Sequence, residues 1–338
     1  MKQKNISIVG ATGAVGAELL RVLESRNFPI GKVRLLASAR SAGTEISAFG
    51  GDHPVEELSS KSFKGTDIAF FSAGATISRE FAPDAMTEGA LVVDNSSAFR
   101  MDEEVPLIVP EINGASLLPN HRLVANPNCT AAILLMAVNP LRKLATLNRL
   151  VVSTYQSASG AGAAAMAELG EQTADVLAGK AVIPKVMPHL YAFNLFSHNT
   201  PINEYGYNDE EWKVIQEVRK ISSLADLKIG VTCVRVPVMR AHSISVTVEF
   251  EGEAPDVEAV REILKKSPGV KLVDDRAANH FPMPNEASGQ DDVLVGRIRK
   301  DLSHPSAISM FIAGDQLLKG AALNAVQIAE LAMKKGFI

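Results

Sequence analysis

Apolar residues recur with two periods along this chain, and the alternation between them predicts the fold. A short β-rich run over 5–9 is followed by helical spacing over 14–24, with Val15, Leu19, Val22 and Leu23 on one face. Near-continuous apolar runs over 33–37, 67–72, 91–94 and 107–110 read as strands, with a helix over 76–88, and 122–125 leads into the turn before Cys129. Strand–helix alternation with strands apolar on both faces predicts a parallel sheet covered by helices. A further apolar, alanine-rich run over 131–138 predicts a helix, and Asn126-Pro-Asn128 ahead of it reads as its leading turn.

Beyond residue 149 the pattern changes. Strands are expected over 149–155, 230–238, 243–251 (with clean alternation), 270–273, 292–299 and 307–312. Helices are expected over 160–177, 209–221 and 255–266, with a last amphipathic helix over 320–335. The segment 180–209, rich in Pro, His, Asn and Tyr, reads as a long irregular connection. Antiparallel character here implies a second domain with a mixed sheet, so the expected class is α/β followed by α+β.

Composition narrows the function. The 338 residues, 46% hydrophobic and 21% charged, suit about two globular domains. A net charge of −4 without a basic block argues against nucleic-acid binding through phosphate neutralisation. Two cysteines, Cys129 and Cys233, make no disulfide framework. The seven histidines are scattered without zinc-site pairing, so no metal is expected. The first ten residues are too quickly polar for a signal peptide, and no apolar run reaches spanning length, which together suggest a cytoplasmic protein.

Candidate chemistry centres on Cys129, at the start of the helix after Asn126-Pro-Asn128. Unpaired N–H groups and the helix dipole there favour thiolate, which is the nucleophile, whereas a buried packing thiol is the alternative. Gly10-Ala-Thr-Gly13-Ala-Val-Gly16 follows the first strand and opens the first helix. That context suits a dinucleotide pyrophosphate, or else a glycine-rich turn without ligand. The second strand ends in Ala37-Ser38-Ala39-Arg40-Ser41 with no carboxylate for a ribose 2′-hydroxyl. Arg40 and the hydroxyls suit a 2′-phosphate, hence NADP, unless Arg40 is a solvated loop residue. Ser72-Ala-Gly74 offers small residues at a strand's carboxyl end, and Arg100, after Asp94-Asn-Ser-Ser, offers a grip on an anion unless it is a surface residue. Gln156 ends an apolar strand and needs a polar partner. His242, in Arg235-Val-Pro-Val-Met-Arg240-Ala-His242, can serve as acid or base, or be structural.

Taken together with Glu210-Glu-Trp-Lys213, Val295-Gly-Arg-Ile-Arg-Lys-Asp301 and Asp315-Gln316-Leu-Leu-Lys-Gly, these motifs resemble the aspartate-semialdehyde dehydrogenase family, in family order over essentially the whole chain. The resemblance implies an NADP-binding Rossmann-type domain over 1–128, completed by a helix over 320–338, and a catalytic and dimerisation domain over 129–319. It implies reversible, NADPH-dependent reductive dephosphorylation of L-4-aspartyl phosphate to L-aspartate 4-semialdehyde, toward lysine, threonine, methionine and diaminopimelate. By resemblance Cys129 is the acyl-thioester nucleophile, His242 the acid–base group and Gln156 a positioning group. Arg235 binds the substrate α-carboxylate, Arg100 and Lys213 the phosphate, and Glu210 and Asn128 lie beside the substrate. The implied cofactor site comprises Gly10, Thr12, Gly13, Ala14, Val15, Ser38, Arg40, Ser41, Ser72, Gly74, Ser159, Gly160 and Gln316. A homodimer or dimer of dimers is expected. The chain departs from the family pattern at Thr44, at Arg240 and in Asn194-Leu-Phe-Ser-His198, which lacks a proline. The alternatives are a related acyl-phosphate reductase, such as one acting on N-acetyl-γ-glutamyl phosphate, or a dinucleotide-binding paralogue without turnover.

Overall fold

The computed structural model describes residues 2–338. They divide into two compact units, one running to Asn128 and resuming over Ala321–Ile338, the other comprising Cys129–Gly320.

In the first unit the chain runs β1 (Lys4–Val9), α1 (Ala14–Ser25), β2 (Ile30–Ala37), β3 (Glu45–Ala48), β4 (Gly51–Glu57), β5 (Ile68–Phe71), α2 (Ala75–Thr87), β6 (Leu91–Asp94), α3 (Pro110–Asn113) and β7 (Leu123–Ala125). The sheet order is β3-β4-β2-β1-β5-β6-β7, parallel throughout except for the β3–β4 pair. This is the Rossmann-type half of the expected α/β class. Central strands β5 and β6 are buried at every position, which is why their sequences are unbroken apolar runs. Phe63 and Phe71 stack at 5.7 Å inside the core formed with α2. A C-terminal helix, Leu323–Lys334, packs on α1, α3 and β6, and Arg26 grips Glu330 on it through two hydrogen bonds of 2.8 and 2.7 Å.

Two local expectations differ here. The strand expected over 107–110 is a single bridge, Leu107 to Ala125, after which α3 starts at Pro110. Proline has no N–H to give a sheet, and its fixed φ suits the first position of a helix. The β3–β4 hairpin was not anticipated, because most of its residues are polar and exposed. It forms through the turn Phe49-Gly50, with φ of 51° and 75°, and carries Pro54 near the sheet edge, where proline is tolerated.

The second unit runs α4 (Cys129–Val138), β8 (Leu147–Gln156), α5 (Ala163–Leu177), β9 (Phe196–Ser197), α6 (Asp209–Ser222), β10 (Lys228–Arg235), β11 (His242–Phe250), α7 (Val257–Lys265), β12 (Val270–Leu272), α8 (Pro284–Ala287), β13 (Val293–Lys300) and β14 (Ala307–Gly314). The mixed sheet has the order β12-β13-β14-β11-β8-β10-β9, with β8 and β10 parallel and β11 antiparallel to β8. Helix α4 is buried from Thr130 to Val138 and packs on α6, β11, β13 and β14, which explains its lack of a polar face. The opposite sheet face leaves Val151 and Tyr155 39% and 38% exposed.

Element ends differ from expectation where backbone chemistry intervenes. Helix α5 starts at Ala163 rather than near 160, because Gly162 sits at φ 95° after a short 3₁₀ turn. Strand β10 stops at Arg235, two residues before Pro237, which cannot donate to the ladder. The last helix is preceded by a π-helical stretch, Leu318–Ala322. The long connection is pinned by polar side chains of α5. The Glu168 carboxylate accepts from the backbone N–H groups of Lys185, Val186 and Met187, and Gln172 Oε1 accepts from Tyr191 (2.7 Å) and Ala192 (3.2 Å). Burial alone would raise the Glu168 pKa, but these donors bring it below the usual carboxylate value.

Candidate active site

Strand pairing in the second unit aligns polar residues across one edge of the sheet. Gln156 and Arg235 are direct partners at the carboxyl ends of parallel β8 and β10. His242 begins β11 on the other side of β8, since Ser243 pairs with Tyr155. His198 follows β9, and its N–H donates to the Cys233 carbonyl at 3.0 Å. The resulting row, His242, Gln156, Arg235, His198, crosses four neighbouring strands β11-β8-β10-β9. All four side chains are buried.

Helices bring the remaining groups to Gln156. Its Nε2 donates to Thr130 Oγ1, the residue after Cys129, at 2.7 Å, and to Glu210 Oε1 at 3.0 Å. Both amide hydrogens are thus directed to the starts of α4 and α6, while its buried Oε1 has no hydrogen-bond partner among the described residues. Helix α6 is held by a capping box between Asn208 and Glu211. The second Glu211 oxygen accepts from the Cys233 N–H at 2.9 Å, fixing the helix start against β10. Lys213, one turn on from Glu210, adds a positive charge felt by His198.

The two cysteines occupy different surroundings. Cys129 is partly exposed at the first position of α4. Cys233 is buried beside Thr154, and burial pushes its thiol far above the ordinary range. Such a thiol packs and stays protonated.

His242 is 1% exposed. Its Nδ1 accepts from the Ser157 N–H at 3.1 Å and lies 3.1 Å from Ser157 Oγ. Burial, with the neighbouring Arg235 charge, pushes its pKa down to about 3. The ring is therefore neutral with its proton on Nε2. Gly160 makes room for it, since a Cβ there would stand 2.8 Å from His242 Cε1 and 3.2 Å from Arg235 Nη1. Ser159 and Gln316 lie in the same network: Ser157 Oγ is 3.0 Å from Ser159 Oγ, Gln316 Nε2 donates to Ser159 Oγ, and Gln316 Oε1 accepts from the Ala241 N–H at 2.9 Å. That last bond holds Ala241 at φ 71°, a left-handed conformation costly for a non-glycine residue, just before His242. Arg240, the departure noted from sequence, pairs with fully buried Asp315 at 2.6 Å and so anchors the loop that carries Gln316.

Arg235 makes contacts on two sides. Nη1 donates to the Ser157 carbonyl at 3.3 Å, and Nη2 donates to His198 Nε2 at 2.7 Å. Its buried Nε has no hydrogen-bond partner among the described residues.

In the first unit, a cleft of about 360 Å³ opens at the carboxyl ends of β1, β2 and β5. Gly10, Thr12, Gly13, Ser38, Arg40, Ser41 and Ser72 line it, together with Glu57, which was not anticipated. Ala14 and Val15 form the first turn of α1, and Gly74 caps α2. Gly10 has φ 84°, and a Cβ at Gly16 would meet the Gly10 carbonyl at 2.3 Å. The start of α1 has no side-chain cap and no acidic residue in its first turn, leaving its N–H groups and positive dipole end for an anion. Arg100 is buried in the same unit, donating through Nε to the Asn126 carbonyl (2.9 Å) and through Nη2 to the Asn95 carbonyl (2.8 Å). Asn128 is buried as the unit's last residue before Ala321. Asp94 is structural, accepting from Ser78 and Ser96.

Sequence reasoning missed His198, Ser157, Glu211 and Asp315. The Asn208-x-x-Glu211 capping box was readable, and Ser157 directly follows Gln156. His198 carried no signal beyond being a histidine in a polar connection.

Known proteins supply an independent measure of this arrangement. Residues 5–118 match the family described as semialdehyde dehydrogenase, NAD binding domain, and residues 138–319 match semialdehyde dehydrogenase, dimerisation domain. The chain is 51% identical over 333 residues to an aspartate-semialdehyde dehydrogenase of Synechocystis, covering 98% of both, and 44% identical over 341 residues to that of Bacillus subtilis, covering 99% of both. It is also similar to the crystal structure of aspartate semialdehyde dehydrogenase II from Vibrio cholerae complexed with ASA, at 39% identity and a TM-score of 0.95 over 99% of both chains.

Proposed function

The chain belongs to the aspartate-semialdehyde dehydrogenases, a family of oxidoreductases, and from that premise we propose that it interconverts L-4-aspartyl phosphate and L-aspartate 4-semialdehyde with NADP, through a thioester on Cys129. The observation that carries the reading is the bond pattern of Gln156, which ties the start of α4, where Cys129 sits, to Glu210 beside Arg235 and His242.

In this reading the Cys129 thiolate attacks the acyl carbon, the carbon–oxygen bond to phosphate breaks, and the phosphate leaves with that electron pair and takes a proton from solvent to become the dianion. The Arg235 guanidinium grips the α-carboxylate in bidentate fashion, and Glu210 with the open Gln156 Oε1 accepts from the α-ammonium. Lys213 and Arg100 offset the charge of the departing phosphate. A nicotinamide dinucleotide held by the cleft of the first unit would supply the hydride in one direction and accept it in the other. Neutral His242 donates from Nε2 to the oxygen that gains charge, and collapse of the resulting thiohemiacetal returns the thiolate and frees the aldehyde. The cleft of the first unit fits the dinucleotide through Gly10, Gly16 and the uncapped start of α1. Arg40 favours the 2′-phosphate of NADP.

Two copies associate, in this reading, through the open sheet face with Val151 and Tyr155, consistent with the dimerisation-domain match. No helix among the described residues is long and apolar enough to cross a membrane, and we take the enzyme to act in the cytoplasm, supplying amino-acid biosynthesis.

The decisive assay follows NADP reduction with L-aspartate 4-semialdehyde and phosphate. Phosphate-dependent turnover is expected. No turnover, or a preference for the N-acetylated glutamate semialdehyde, overturns the assignment.

A further inference from the structure

We propose that His198 is a positioning residue that sets substrate affinity by holding the guanidinium of Arg235 in place without neutralising it. The inference rests on the reading that Arg235 binds the substrate α-carboxylate.

The geometry comes from the sheet. Pairing of β9 with β10 sets Ser197 opposite Val234, so His198 stands opposite Cys233 and shares a sheet face with Arg235, two residues along. From there its Nε2 lies 2.7 Å from Arg235 Nη2. An arginine side chain has donors and no acceptor, so Nε2 must accept and the imidazole must be neutral, with its proton on Nδ1. Burial and the Arg235 charge keep it so, pushing its pKa down to about 4. The Ser157 carbonyl is the second anchor. Both anchors of Arg235 are thus neutral acceptors.

That neutrality matters for function. A carboxylate at position 198 would hold the guanidinium at least as firmly, but it would cancel the charge and compete for the donors a substrate carboxylate needs. A neutral ring fixes orientation and leaves the charge available. A merely structural residue would have no such preference.

The test is a variant series read by steady-state kinetics with aspartate semialdehyde, phosphate and NADP. His198→Leu removes the acceptor, His198→Glu adds a charged one, and His198→Gln keeps a neutral one. In the Leu and Glu variants the KM for the semialdehyde should rise about tenfold or more, the scale of a hydrogen bond to a charged group. The KM values for phosphate and NADP, and kcat, should stay within about threefold, and His198→Gln should lie within about threefold of wild type throughout. Placed on Arg235→Lys, which should itself raise the semialdehyde KM, His198→Leu should add less than about twofold, because the two residues act as one unit.

A wild-type KM in His198→Leu overturns the proposal, as does rescue by Glu equal to that by Gln, parallel loss in every kinetic constant, or the full effect persisting on Arg235→Lys. An unchanged semialdehyde KM in Arg235→Lys instead sinks the carboxylate assignment, and the role of His198 with it.

Discussion

The Ser157 backbone N–H donates to Nδ1 of His242 at 3.1 Å, and this single bond decides which proton the imidazole can offer. With Nδ1 occupied as acceptor and the pKa pushed down to about 3 by burial and by Arg235, the neutral ring presents a proton on Nε2. His242 thus offers Nε2–H as a hydrogen-bond donor and has no free ring nitrogen to take the proton of the Cys129 thiol. Its own protonation should put no acid limb on kcat/KM near the ordinary histidine value of about 6.5. His242→Gln, which keeps an N–H donor but not an ionisable one, should lower kcat by roughly 10²–10⁴ without moving the acid side of the profile. A limb near neutrality that vanishes in this variant would contradict the lowered pKa of the ring.

Cys129 and Cys233 should separate cleanly by reactivity. Partial exposure at the first position of α4 makes Cys129 available, whereas Cys233 is buried and its thiol is held protonated. Iodoacetamide on the native enzyme, read by peptide mass spectrometry, should label Cys129 and leave Cys233 until the chain is unfolded. Cys129→Ala should abolish turnover, and Cys233→Ala should retain it with a stability loss of about 1 kcal/mol, the cost of a small buried truncation. Labelling of Cys233 in the native state, or turnover by Cys129→Ala, reverses these roles.

The fold was legible because its strands announce themselves. Central strands such as β5 and β6 are unbroken apolar runs, and the β1–glycine–α1 unit shows its turn chemistry directly. The strand expected at 107–110 failed because an apolar run ahead of a proline fits a helix start equally well, and the β3–β4 hairpin was hidden by its polar, exposed sequence. In the site, Gln156 stood out as a polar residue ending an apolar strand, whereas Arg235 lay inside the strand expected over 230–238 and drew its role from the family resemblance. His198 did not, because its meaning comes from a two-residue strand pairing 37 positions before Arg235, a relation that no local pattern encodes.

The two buried histidines should also make stability depend on pH. Folded, His198 and His242 have pKa values of about 4 and about 3. Unfolded, both return to about 6.5. Between these values the unfolded chain binds more protons, so stability rises with pH across the window and is lost as pH falls through it. Near pH 5 each histidine contributes a slope of about 1.4 kcal/mol per pH unit at most. Urea unfolding between about pH 5 and pH 7 should therefore show a steeper loss toward acid in wild type than in a His198→Gln/His242→Gln double variant. Equal slopes in the two proteins would mean that the rings are not held neutral.

Cofactor choice should turn on Arg40 and Glu57. Both line the cleft at the end of β2, where the strand ends at Ala37 and Ser38 follows, with no carboxylate. Arg40 is exposed, so it can meet a 2′-phosphate, while Glu57 would repel that phosphate and could accept from a free 2′-hydroxyl. Arg40→Ala should raise the KM for NADP by roughly tenfold, about one charge-assisted contact, and leave the KM for NAD nearly unchanged. Glu57→Gln should act oppositely, improving NADP binding a few-fold by removing like-charge repulsion. Comparing both cofactors across wild type and the two variants separates these effects, and an Arg40→Ala enzyme whose NADP KM equals that of wild type removes Arg40 from the 2′-phosphate site.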